Sequence, residues 1–145
     1  MAIEVLIVED NPGDVRLLQE AFHNLENLIH LHLAEDGVAA MAFLKREGVQ
    51  SQSPRPDLII LDLNLPKMNG REFLALIKAD DNLKMVPIII LSSSEADADV
   101  SLSYQLHANC FLRKPTQWDA FDAIVRNIGA FWLAKTRLPQ QGVGA

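Results

Sequence analysis

Four groups of polar residues each follow a short apolar run in this sequence. Glu9-Asp10 follows Val5-Leu6-Ile7-Val8, Asp62 and Asn64 follow Leu58-Ile59-Ile60-Leu61, Ser92-Ser93-Ser94 follows Ile88-Ile89-Ile90-Leu91, and Lys114-Pro115 follows the stretch around Cys110 to Leu112. Carboxylates, a hydroxyl and an ammonium gathered at one rim point to charge-neutralising chemistry. Three carboxylates (Glu9, Asp10, Asp62) at one rim are costly without compensation, because like charges at close range disfavour joint ionisation. A hard divalent cation relieves that repulsion. Mg2+ suits such a rim because it takes a few carboxylate or carbonyl oxygens and fills its other octahedral positions with water and phosphate. Each group also has a blander reading. Asp62 could cap the following turn, and Glu9-Asp10 could cap a helix that opens at Pro12, although Asp14 is the better candidate for a pure cap. Ser92 could simply end its strand, and Lys114-Pro115 takes its weight from position alone.

The elements that must position these residues are legible from periodicity. The three apolar runs are β-branch-rich, too short for helices and bounded by Asp, Pro or Ser, which fits strands buried on both faces of a parallel sheet. A weaker strand is expected from Ile29 to Leu33, where His30 and His32 alternate with apolar residues as on an edge strand with one wet face. His30 and His32 are therefore expected to be solvated. Between the strands Val15, Leu18, Ala21, Phe22 and Leu25 recur at helical spacing, as do Val38, Met41, Ala42 and Leu44, and then Phe73, Leu74 and Ile77. The last third predicts a helix from about Glu95 to Leu106, a short strand at 110–112, and a helix from Gln117 onward striped by Trp118, Phe121, Ile124, Val125, Ile128 and Trp132. Five strands alternating with five helices predict an open α/β fold, a doubly wound five-stranded parallel sheet with right-handed crossovers. In such a sheet ligands bind outside the carboxyl ends of the strands, which is where the four polar groups fall. Gly48 to Pro56 reads as a surface loop, and Leu138 to Ala145 as a frayed tail.

Composition narrows the function. At 145 residues, 49% hydrophobic and 22% charged, the chain has the length and the apolar content of one packed domain. A net charge of −6 with only 13 Lys+Arg argues against nucleic acid or an anionic membrane as partner. The single cysteine, Cys110, excludes an internal disulfide and reads as a small hydrophobe, while His107 and Cys110 offer too few ligands for zinc. No apolar run approaches the ~20 residues of a membrane span, and no signal peptide is expected, so the reading is a cytoplasmic protein.

The "LIVEDN" run ending in Glu9-Asp10, "DLIILDLNLPKMNG" with Asp62, Asn64, Pro66 and Gly70, "PIIILSSS" with Ser92, and "FLRKP" with Lys114-Pro115 resemble the receiver domain of two-component response regulators. The resemblance covers residues 3–134 and rests on four separated motifs in the right order. It implies a flavodoxin-like sheet of strand order 2-1-3-4-5, a receiver domain at 1–134 and a C-terminal extension at 135–145. It also implies that Asp62 is the phosphoacceptor, attacking the phosphorus of a kinase phosphohistidine, and that Mg2+ is held by Asp10 and Asp62, by the backbone carbonyl of Asn64, and by Glu9 through water. Lys114 would hold a phosphoryl oxygen, the Ser92 hydroxyl another, and Ser92 with Phe111 would form the switch. More narrowly, "DGVAAMAFL", "SPRPDLIILDLNLP" and "FWLAKTRLP" resemble the small response regulators that partner cyanobacterial phytochromes. That resemblance implies a phytochrome histidine kinase as partner and a homodimer through the C-terminal helix and extension, with Phe131 and Trp132 at the interface.

Departures from the family pattern are Ser92 where threonine is common, Phe111 where tyrosine is frequent, and His107-Ala108-Asn109 in place of a small Gly-Ala run. Rival readings are a pseudo-receiver, a flavodoxin-like electron carrier and a D-x-D phosphatase. The carrier would place a phosphate against "EDNPGD", which repels it, and the phosphatase needs a general acid where Asn64 stands. With only a short tail beyond Trp132, a stand-alone receiver that acts by protein contact is expected.

Overall fold

The computed structural model describes residues 3–23, 25, 29–46, 53–93, 96–115 and 117–129. Strands β1 (Ile3–Val8), β2 (Ile29–Ala34), β3 (Leu58–Leu61), β4 (Ile88–Ser92) and β5 (Cys110–Arg113) alternate with helices α1 (Pro12–His23), α2 (Gly37–Lys45), α3 (Gly70–Ala79), α4 (Asp97–Gln105) and α5 (Trp118–Ile128). All strand pairings are parallel, in the order β2-β1-β3-β4-β5. The order reverses between β1 and β3, so their carboxyl ends border the crevice in which doubly wound sheets bind ligands.

The continuous apolar runs are explained by the two faces they serve. Leu6, Val8, Ile59, Leu61, Ile88 and Ile90 pack with Phe43 of α2 and Phe73, Leu74 and Ile77 of α3. The intervening Val5, Ile7, Leu58, Ile60, Ile89 and Leu91 pack with Leu18, Ala21 and Phe22 of α1 and Phe121, Val125 and Ile128 of α5. Successive residues of a strand point to opposite faces, so a strand covered on both sides has no polar position to spare. β3 and β4 are buried at every residue.

Expected boundaries shift modestly. β2 and β5 each extend one residue beyond the expected end, and α4 starts at Asp97 and stops at Gln105. Residues 47–52, most of the expected loop, lie outside the described residues, as do the tail, Phe131 and Trp132. No helix among the described residues is long and apolar enough to cross a membrane.

Candidate functional site

Strand register brings the first two polar groups side by side. Val8 pairs with Leu61, so the next residues, Glu9 and Asp62, leave the sheet together. The backbone continues the ladder past the strand ends. Asp62 N–H donates to the Val8 carbonyl at 3.0 Å and Glu9 N–H to the Ala34 carbonyl at 3.0 Å. On the other side Lys114 N–H donates to the Ser92 carbonyl at 2.6 Å, which fixes the lysine's origin relative to β4. Glycine makes the close approach of α3 feasible: a Cβ at Gly70 would collide with the Asp62 carbonyl and with Leu63. Asn69 caps α3, its side chain accepting from Glu72 N–H at 2.9 Å.

One oxygen each from Glu9, Asp10 and Asp62 lies within 4.8 Å of the others. Glu9 and Asp62 are buried and Asp10 is exposed, which leaves one open side. Anionic oxygens at this spacing, with Asp10 open to solvent, match the donor set of a hard divalent cation. Asn64 is exposed and its N–H donates to Asp62 Oδ1 at 3.2 Å, turning the loop back over the carboxylate.

Lys114 Nζ contacts three carboxylates: Glu9 Oε2 at 2.7 Å, Asp14 Oδ2 at 2.9 Å and Asp62 Oδ2 at 3.3 Å. Burial works to lower the lysine pKa, but the bonds from Asp14 and Glu9 and the charges of Glu9 and Asp62 outweigh it and raise it well above the usual lysine range. Lys114 therefore stays charged. Glu9 differs. Burial is the main cause that pushes its carboxyl up to about 7, reinforced by the Asp62 charge and opposed by the Lys114 bond and by Asn11 N–H at 3.1 Å.

Asp14 is a correction to the sequence reading. The cap of α1 is Asn11, whose Oδ1 accepts from Asp14 N–H at 3.0 Å, ahead of Pro12 at the first helical position. Asp14 thus stands inside the first turn of the helix, with its carboxylate on Lys114. The available signal was Asn11-Pro12, a strong cap pair that puts the helix start three residues earlier than a cap at Asp14 would.

Ser92 is fully buried at the end of β4. Phe111 is half-buried against the α2/α3-side core, and its N–H donates to the Tyr104 hydroxyl at 3.1 Å. His30 and His32, expected to be merely solvated, both bond Glu4. Their alternation showed which face they share but not what stands opposite on β1.

Residues 5–126 match the family model of the response regulator receiver domain. The chain is 45% identical over 135 residues to the response regulator Rcp1 of Synechocystis sp. (strain ATCC 27184 / PCC 6803 / Kazusa), covering 93% of this chain and 92% of that protein. Its structure is similar to the crystal structure of the phosphorylated cyanobacterial phytochrome response regulator RcpA, with a TM-score of 0.93 and 44% identity over 97% of this chain and 100% of that one. It is also similar to the Mn(2+)-bound form of Rcp1, with a TM-score of 0.86 and 44% identity over 95% and 99% of the two chains.

Proposed function

The chain belongs to the response regulator receiver family, and from that premise we propose that it takes a phosphoryl group from a histidine kinase onto Asp62. The observation that carries the assignment is the setting of Asp62: a buried carboxylate at the end of β3, grouped with Glu9 and Asp10 and 3.3 Å from Lys114 Nζ.

In the proposed reaction one carboxylate oxygen of Asp62 attacks the phosphorus of a phosphohistidine. The O–P bond forms as the N–P bond breaks, and the imidazole leaves with its electron pair, so the product is an acyl phosphate. Such a transfer is mainly positioning and charge neutralisation, with little for the protein to do covalently. Glu9 is held by Asn11 and Lys114, and Asp62 by the turn at Asn64. Lys114 supplies a permanent positive charge for a phosphoryl oxygen, and Ser92 supplies the hydroxyl from β4. Asp10, Asp62, the Asn64 carbonyl and, through water, Glu9 would hold Mg2+, which when bound spreads positive charge over the phosphoryl oxygens.

Phosphorylation is then read by contact with another protein, and Ser92 with Phe111 carries the change toward α4 and β5. By likeness to the phytochrome regulator RcpA, the kinase is a phytochrome. The C-terminal helix and extension, with Phe131 and Trp132, form a homodimer interface, since aromatic side chains are enriched at such surfaces. Incubation with acetyl phosphate and Mg2+ should add one phosphoryl group to the intact mass, and Asp62→Asn should add none. Equal labelling of that variant would move the acceptor elsewhere. Light scattering over a concentration series should show a dimer that Phe131→Ala and Trp132→Ala weaken; a monomer throughout would remove the interface.

A further inference from the structure

The "DGVAAMAFL" run opens with Asp36 and Gly37, and phosphoryl transfer gives neither a role. Both stand where α2 begins, beside the loop that joins β3 to α3. Gly37 N–H donates to the Met68 carbonyl at 3.2 Å. A Cβ at Gly37 would collide with that carbonyl and with the Met68 side chain. Glycine destabilises a helix relative to alanine, so its place here is explained by this close approach. Asp36 caps the same helix, its Oδ1 accepting from Ala39 N–H at 2.7 Å. The carboxylate is buried, and its Oδ2 lies 3.5 Å from Lys67 Nζ. Lys67 has φ of 61°, in the left-handed region that disfavours a side chain. Such a conformation persists where the surroundings over-determine it.

These contacts close a circuit around the acidic rim. Glu9 N–H bonds the Ala34 carbonyl at the end of β2, and Asp36 follows two residues later. From Gly37 the path crosses to Met68 and runs back along the loop through Asn64 to Asp62, whose N–H bonds the carbonyl of Val8, the neighbour of Glu9. Gly70 N–H on the Leu63 carbonyl at 2.9 Å closes the base of the loop. Leu63 and Leu65 are buried, and Asn64 between them is exposed. The two leucines fix which way their own side chains face. The direction of the Asn64 carbonyl depends also on the path of the loop beyond Leu65, and the contact with α2 fixes that path. We propose that Asp36 and Gly37 are positioning residues for the rim cation: by docking Met68 on the first turn of α2 they hold the Asn64 carbonyl where it can ligate. The inference rests on the reading of this rim as the Mg2+ site. Asp36 is committed to its cap and to Lys67 and is no part of the carboxylate group that can hold the ion. The ion pair itself adds little, since Lys67 is 69% exposed.

The test is calorimetric titration with MgCl2 of chains shown by circular dichroism to be folded. Gly37→Ala should weaken Mg2+ binding ~10-fold, the lower end of what losing a supporting partner of a metal ligand costs. Asp36→Ala should weaken it too, and Asp36→Asn, which can still accept from Ala39 N–H, should keep most of the affinity. Ile77→Val loosens the packing of α3 without touching the loop and should bind Mg2+ as the wild type does. Labelling by acetyl phosphate supplies a second readout: Gly37→Ala should need more Mg2+ for its half-maximal rate and reach the wild-type rate at saturation. Wild-type affinity in Gly37→Ala or in Asp36→Ala, an equal loss in Asp36→Asn and Asp36→Ala, a matching loss in Ile77→Val, or a rate that stays low at saturating Mg2+ would each overturn the proposal. Should Gly37→Ala fail to fold, the two Asp36 variants decide alone. A wild-type chain that binds no Mg2+ would instead overturn the reading of the rim itself, and this inference with it.

Discussion

Lys114 is the residue on which the rim's electrostatics turn, because one ammonium is shared among three carboxylates. Glu9 and Asp62 belong to the group that can hold a cation, but Asp14 does not. Its contact with Lys114 therefore competes with any phosphoryl oxygen that needs the same ammonium. Asp14→Asn keeps the side-chain shape and removes that competition. An ion pair at the edge of a site contributes up to about 1 kcal/mol, or roughly fivefold in a rate, so acetyl phosphate should label Asp14→Asn up to about fivefold faster than wild type. A slower variant would make Asp14 a necessary orienter of Lys114 instead. Glu9, Asp10, Asp62 and Lys114 were legible in the sequence because each lies within two residues of the end of an apolar run, and that end must lie at the sheet rim. Asp14 was not. Its place depends on whether α1 is capped at Asn11 or three residues later, and a local cap preference does not fix that boundary against the docking of the whole helix.

Among the elements, those with two-sided burial were the most readable and α4 the least. The β1, β3 and β4 runs can be little else, whereas among the described residues of α4 only Ser103 is buried, so no apolar stripe marks its limits. Specific contacts hold it in place: Arg71 of α3 bonds Asp99 at 2.6 Å, and Tyr104 covers the free edge of β5 at Phe111 N–H. The turn that follows contains the departure noted from the family pattern, and the structure accounts for it. Asn109 Oδ1 accepts from Ile88 N–H at 2.9 Å and from Lys78 Nζ at 3.2 Å, and Asn109 N–H donates to the Ile88 carbonyl at 2.9 Å. The asparagine thus fastens the start of β4. His107 has φ of 70°, in the left-handed region where a Cβ is unfavourable, which is why a glycine suits this point. Its ring is exposed. His107→Gly should therefore stabilise the fold by about 1 kcal/mol, the cost of a side chain in this conformation offset in part by the added freedom of the unfolded chain. Urea unfolding measures it directly, and a lower midpoint at unchanged slope would show that the His107 ring contributes more than its backbone costs.

For the whole molecule, a net charge of −6 with an acidic rim means that folding, proton binding and cation binding are linked. Glu9 is the group through which the linkage runs, with a folded pKa pushed up to about 7 from an ordinary 4.5 by burial and by its anionic neighbour. Between those two values the folded chain holds a proton that the unfolded chain has released. The folded state therefore binds more protons, and this contribution to stability falls as pH rises from about 4.5 to about 7. A divalent cation reverses the trend. Glu9 must lose its proton before the rim can attract a dication fully, so apparent Mg2+ affinity should rise with pH and level off above about 7. Ligand binding to the folded state alone stabilises by RT ln(1 + [L]/Kd). At fixed Mg2+, the increase in melting temperature should thus be larger at pH 8 than at pH 6. Glu9→Gln mimics the protonated side chain at both pH values, and its Mg2+-induced increase should be smaller and nearly independent of pH. An equal increase at both pH values in the wild type would show that Glu9 carries no proton at pH 6 and that burial is outweighed by Lys114 at that position.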